Sequence, residues 1–227
     1  GSAIPSAVSD YEIDNSLRIY GNGTHLTWSP SGSGNTTTFT MSMWVKPDVV
    51  VKGAETISNG NNLCLWSAAD AEAGSGWTDF CMLTAGSATD FSLKWQISKS
   101  GGRMGKLETT RKFRDPSAWY HFVFVWDTGN STSGDRMQIW VNGVRETSFS
   151  SETVPDEDGP SLFTNVSGQD QMIGNYSYYN VPYYSYGQFP ANSYLADVCF
   201  IDGQALDADS FGELDSTTNQ WKPIDAS

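Results

Sequence analysis

Cysteine is scarce in this chain: three in 227 residues, at Cys64, Cys81 and Cys199. An odd, sparse count argues against a scaffold built on disulfides. Each lies in an apolar, strand-like context (LCLW, FCML, DVCFI), where a thiol behaves as a small buried hydrophobe. Cys64 and Cys81 either stay free or pair across neighbouring strands, and no spacing resembles a zinc site. Charge is short too, at 17% of residues, and positive charge is shortest: 13 Lys and Arg against 26 Asp and Glu, a net −13. Such a polyanion is repelled by nucleic-acid phosphates and by anionic lipid, which argues against both as partners. No apolar run approaches the ~20 residues of a membrane span, so no membrane insertion is expected. No stretch reads as a signal peptide, and Gly1-Ser2 reads as a cloning remnant. Internal repeats and heptads are lacking as well.

What the chain has is aromatic residues, 9 Trp, 10 Tyr and 11 Phe, with a surface left to Ser, Thr, Asn, Gly and Gln. That mixture favours strands and turns over surface helices. The most informative stretch is WYHFVFVWDT, starting at Trp119. Side chains alternate along a strand, so Trp119, His121, Val123 and Val125 point one way and Tyr120, Phe122, Phe124 and Trp126 the other. Apolar residues on both faces mean a strand covered on both sides, central in its sheet. RMQIWVNGVRETSF follows, with Asn142-Gly143 between two strand-like runs, a strong hairpin signal because both turn residues accept positive φ. FTMSMWVK alternates with Phe39, Met41, Met43 and Val45 on one face, and FSLKWQIS with Phe91, Leu93, Trp95 and Ile97. LRIYG and HLTW read as a short strand pair, and ETIS, LCLW, FCML, LFTN and QMIGN as further short strands. SYLADVCFIDG offers Leu195, Val198, Phe200 and Ile201 to a core, and DADSFGEL one helical turn. About thirteen short strands with nearly no helix predict an all-β, two-sheet antiparallel jelly-roll sandwich. Five Asn-x-Ser/Thr sequons, at Asn22, Asn35, Asn130, Asn165 and Asn175, fit chance in an Asn/Ser/Thr-rich chain.

The pieces NSLRIYGNGTHLTW, FTMSMWVKP, FRDPSAWYHFVFVWDT, DRMQIWVNGVRET, MIGN and YLADVCFIDGQALDADSFGE occur in that order. Together they resemble the laminin-G-like, concanavalin A-like domains of phage tail-fibre and other virion proteins, marine phages especially. YLADVCFIDGQAL with SFGE is the most specific part. The resemblance covers residues 15 to 223 and implies one sandwich domain there. Residues 1 to 14 are then a lead-in segment, and residues 224 to 227 a tail leading into a larger protein. It also implies binding of carbohydrate or protein, often with calcium, or service as an exposed module of a larger assembly. Synthesis would be in a host bacterial cytoplasm, which agrees with unpaired cysteines, and the final location would be the virion surface. Fold alone does not fix function.

Three readings follow, each with its own residues. The first is attachment to a host-surface glycan or receptor by rim loops, without catalysis. NYSYYNVPYYSYGQFP carries six tyrosines in sixteen residues. Aromatic rings stack on sugar C–H faces and hydroxyls add hydrogen bonds, so Tyr176, Tyr178, Tyr179, Tyr183, Tyr184 and Tyr186 are candidates, with Asn175, Asn180 and Gln188 beside them. Trp77 and Asp79, after a Gly/Ala loop, form a second group. The other side of this reading is that the tyrosines cap the sandwich or meet other virion subunits, which makes the domain a structural or decoration module. The third reading is a polysaccharide-cleaving enzyme. It needs two carboxylates flanking a bond. Glu12-Ile13-Asp14 and Glu213-Leu214-Asp215 begin the E-x-D-x-x-E pattern of laminarinase-type enzymes without completing it. His121 reads as a hydrogen-bonded core residue and no Ser or Cys nucleophile motif is present, so no enzyme is expected. For calcium, Asp156 and Asp158 are the candidate ligands, against a solvated acidic turn. Asp127 and Asp135 read as turn caps.

Overall fold

The computed structural model describes residues 11–21, 24–47, 62–69, 78–85, 91–99, 102–176 and 191–226. Among them are fifteen strands: β1 (Leu17–Ile19), β2 (Leu26–Trp28), β3 (Thr38–Pro47), β4 (Asn62–Ala69), β5 (Thr78–Ala85), β6 (Phe91–Lys99), β7 (Gly102–Thr109), β8 (Tyr120–Asp127), β9 (Met137–Val141), β10 (Val144–Arg145), β11 (Phe149–Thr153), β12 (Asp170–Ile173), β13 (Ser193–Asp202), β14 (Gly212–Leu214) and β15 (Trp221–Pro223). They form a six-stranded sheet in the order β1-β13-β3-β8-β9-β10, a seven-stranded sheet in the order β11-β7-β6-β5-β4-β12-β2, and a small β14-β15 ribbon. Every pairing is antiparallel. This is the two-sheet jelly-roll sandwich that the alternation predicts.

β8 lies inside its sheet, between β3 and β9, as its two apolar faces require. Phe122, Phe124 and Trp126 from β8 and Phe39, Met41, Met43 and Val45 from β3 enter the core between the sheets. They meet Leu65, Cys81, Leu83, Leu93, Trp95, Ile97 and Leu107 from the seven-stranded sheet. Trp95 packs edge-on against Phe124 at 5.4 Å and Trp126 at 6.2 Å, the arrangement ring quadrupoles prefer. All three cysteines are free thiols. Asn142 (φ 47°) and Gly143 (φ 78°) make the β9–β10 turn in the left-handed conformation expected of Asn-Gly.

Three sequence expectations are corrected. LRIYG and HLTW do not pair with each other: β1 pairs with β13 and β2 with β12, so the short runs edge different sheets. LFTN is not a strand, because its hydrogen bonds go to a buried carboxylate instead of a neighbouring strand. Val198 does not join the core and is 37% exposed. A bulge between Ala196 and Cys199, with Asp197 at φ 47°, shifts the phase of β13 there. The last strand, β15, falls within the expected 15–223 domain and pairs with β14. The expected ETIS strand lies outside the described residues.

Candidate binding site

The outward face of the six-stranded sheet holds more rings than an open surface needs. The strict alternation of β3 that buries Met43 and Val45 turns Trp44 outward, and the β3–β8 register sets His121 directly opposite it. The two rings stack at 4.8 Å. Over them folds the C-terminal segment, whose Leu206, Ala208, Phe211 and Trp221 pack on Val123, Val125, Trp140, Cys199 and Ile201. The Trp221 ring lies nearly parallel to His121 at 6.0 Å and donates its indole Nε1–H to His121 Nδ1 at 3.0 Å. Because Nδ1 accepts, the ring proton sits on Nε2, which donates to Ser42 Oγ at 2.8 Å. With both nitrogens engaged and the ring buried, desolvation pulls the His121 pKa down to about 4. His121 is thus the hydrogen-bonded core residue expected, and here it is a pin for the C-terminal ribbon. Gly143 and Gly212 lie flat against the Trp221 indole; a Cβ on Gly212 would come within 2.6 Å of the ring.

Beside this stack opens a cavity of about 290 Å³. Trp44 and Ala196 line it with Trp119 and Trp221, while residues 13–16 and Lys222-Pro223 complete the lining. The lining combines rings with Asp14, Asn15 and Ser16, all exposed. Trp119 is 37% exposed and free to meet a ligand. Trp44 is buried, and its indole Nε1 finds no hydrogen-bond acceptor. The Lys222 ammonium is already shared between Glu213 at 3.3 Å and Asp215 at 3.5 Å. An open cavity with aromatic walls and a few convergent polar groups is the general form of a small-molecule site.

The residues singled out from the sequence fall elsewhere. Tyr176 and Asn175 lie on the opposite side of the sandwich, on the outer face of the seven-stranded sheet. Tyr176 packs edge-on against Phe80 at 5.7 Å, beside Cys64 and Met82. Asn175 is fully buried: its carbonyl accepts from Ser67 Oγ at 3.0 Å and its Oδ1 from Tyr176 N at 2.8 Å. Its expected role in holding sugar hydroxyls is therefore corrected to an internal one. Asp79 is corrected likewise. It is fully buried at the start of β5, where Oδ1 accepts from Ser98 N at 2.6 Å and Oδ2 accepts from Ser161 Oγ, Thr164 N and Thr164 Oγ1. Trp77, Tyr178, Tyr179, Asn180, Tyr183, Tyr184, Tyr186 and Gln188 lie outside the described residues.

The two acidic candidates for calcium, Asp156 and Asp158, lie at one turn. Asp156 holds Lys99 at 2.9 Å, and Asp158 sits at φ 56° with its backbone N–H on Thr128 O. Calcium takes six to eight oxygens. Among the described residues no three His, Cys, Asp or Glu gather as a metal-binding group. Of the acid pairs, Asp215 accepts from Thr217 N, Thr218 N and Thr218 Oγ1, which holds its carboxyl down at about 2. A group so acidic cannot carry a proton to a leaving oxygen near neutral pH. Asp127 accepts from Thr38 Oγ1 on the paired strand and from Asn130 within its own turn, and Asp135 pairs with Arg145 at 2.6 Å.

The Trp44, Trp119 and Trp221 assembly was missed in the sequence, though one signal was there. Trp44 and His121 both fall on the outward phase of central strands, where small polar residues would suffice.

Residues 20–182 match the Laminin G 3 family, described as the concanavalin A-like lectin/glucanases superfamily. Comparison with curated proteins finds no match. Among solved structures, mouse laminin alpha1 chain domains LG4-5 align with a TM-score of 0.55 at 12% identity, over 96% of this chain and 47% of that one. The chain thus spans about half of that laminin fragment. The native heptameric SAP-like pentraxin from Limulus polyphemus aligns with a TM-score of 0.53 at 16% identity, over 81% of this chain and 73% of that one. Full-length tailspike protein 2 of Escherichia coli O157:H7 bacteriophage CAB120 aligns with a TM-score of 0.48 at 12% identity, over 86% of this chain and 23% of that one. At these identities the likeness is one of fold.

Proposed function

The chain belongs to the concanavalin A-like lectin/glucanases superfamily, and we propose that it is a non-catalytic binding module that recognises a host-surface glycan from the surface of a phage virion. The observation that carries the glycan reading is the tryptophan-walled cavity on the outer face of the six-stranded sheet. Sugars present apolar C–H faces ringed by hydroxyls. The half-open Trp119 ring can stack on such a face while Asp14, Asn15 and Ser16 reach the hydroxyls. The virion setting rests on the wording of YLADVCFIDGQALDADSFGE and its companions.

The test is a glycan array probed with the purified protein, with and without calcium, beside two variants. Trp119→Ala is expected to weaken the selected glycan about fivefold or more, as loss of one stacking ring worth about 1 kcal/mol or more implies. The fold should stand, because Trp119 precedes β8 and is exposed. Tyr183→Ala/Tyr184→Ala should bind like the parent. Loss in the tyrosine variant alone would move the site to that segment, and a folded protein that binds no glycan would favour the structural module.

A further inference from the structure

A second cavity, of about 380 Å³, lies on the other side of Trp221. Trp221 lines both cavities, and the second adds Asn142, Val144, Asp209, Glu213 and Leu214. Val144 and Leu214 are each 58% exposed, an unusual amount for apolar side chains sharing one hollow. The indole between the cavities is clamped, with its N–H on His121 and its ring against Gly143 and Gly212. It is therefore a fixed ridge and not a side chain that swings aside.

We infer that the two cavities are successive subsites of one groove crossing Trp221, and that the groove takes an extended, uncharged oligosaccharide. This rests on the glycan reading of the first cavity and adds the length and charge of the ligand. Length follows from the shared ridge: a single sugar ring occupies one side of Trp221, and only a chain reaches Val144 and Leu214. Charge follows from the lining. Asp14 stands in the first cavity and Asp209 and Glu213 in the second. The cation lining the first, Lys222, is held between Glu213 and Asp215. A sulfated or uronic acid chain would meet these carboxylates on a protein of net charge −13.

Calorimetric titration of the whole protein with neutral β-glucan, α-glucan and chitin-type ladders, from disaccharide to hexasaccharide, tests this beside oligogalacturonates of the same lengths. One neutral ladder is expected to gain at least tenfold in affinity from disaccharide to hexasaccharide. Val144→Ser/Leu214→Ser should abolish that gain and leave disaccharide binding unchanged, whereas Trp119→Ala should weaken every member. Equal affinity at all lengths, or a gain that survives Val144→Ser/Leu214→Ser, overturns the groove and leaves the first cavity standing. Tighter binding of the oligogalacturonates overturns the charge assignment. If no ladder binds, the glycan reading itself fails.

Discussion

Replacing Asp79 with Asn is expected to lower the free energy of unfolding by about 3 kcal/mol at pH 7. Both carboxylate oxygens face donors: Ser98 N on one side, Ser161 Oγ, Thr164 N and Thr164 Oγ1 on the other. Either orientation of an amide turns its NH₂ toward a buried backbone N–H: facing Ser98 it takes away that donor's carboxylate acceptor, and facing Thr164 it leaves that N–H only Ser161 Oγ, at 2.9 Å. The loop at residues 161–164 should loosen with it, since Asp79 holds it to β5. Urea unfolding measures the change, and a loss below about 1 kcal/mol would show that the loop is held by Phe163 packing alone.

The same variant has a pH signature. Burial raises the Asp79 pKa to about 6 despite its donors. Between the ordinary carboxylate value and pH 6 the folded state keeps a proton that the unfolded state has lost. This contribution therefore favours folding at low pH and is lost as pH rises through 6. His121 slopes the other way. Its pKa is lowered to about 4, so its contribution is complete above about 6.5 and is lost as pH falls toward 4. The two oppose each other between pH 4 and 6. Asp79→Asn removes the first and exposes the second, so the variant should lose stability on acidification more steeply than the parent. Parallel stability curves across pH 4 to 6.5 would contradict the pairing.

Replacing Trp221 with Ala is expected to cost about 2 kcal/mol of stability and at least tenfold in glycan affinity. The β14–β15 ribbon has three residues in each strand and is too short to stand without the ring that fastens it to the sheet. Removing the indole also uncovers His121 Nδ1 to water. The His121 titration, followed by NMR, should then move up from about 4 toward the usual histidine value. A normal ribbon with an unmoved His121 titration would mean that Trp221 lies on the sheet without holding it.

The sandwich was legible because its central strands carry their burial in local alternation. Phe39 through Val45 and Tyr120 through Trp126 state which side is core, and Asn142-Gly143 states where the chain turns. The edges were less legible. Leu17–Ile19 and Leu26–Trp28 are three residues each, too short for alternation to name a partner. The bulge at Asp197 puts positive φ on a residue that is neither Gly nor Asn, so nothing local announced that Val198 would leave the core. Thr164 read as strand because its true partner, the Asp79 carboxylate, is 85 positions away. The candidate site fared worst for the same reason. Trp44, Trp119 and Trp221 meet only once both sheets and the C-terminal ribbon are in place, and no window of sequence contains two of them. The conspicuous tyrosine cluster drew the reading instead, and its described members, Tyr176 and its neighbour Asn175, are occupied with packing.

The cavity takes one wall from residues 13–16 and another from residues 221–223. A bound sugar would therefore touch two segments some two hundred residues apart, acting as a clasp between them. Trimming either segment should cost affinity well before it costs the sandwich. A pull applied to both would peel the ribbon and empty the cavity while the double sheet stays whole, so grip on the ligand would be the first thing lost under tension.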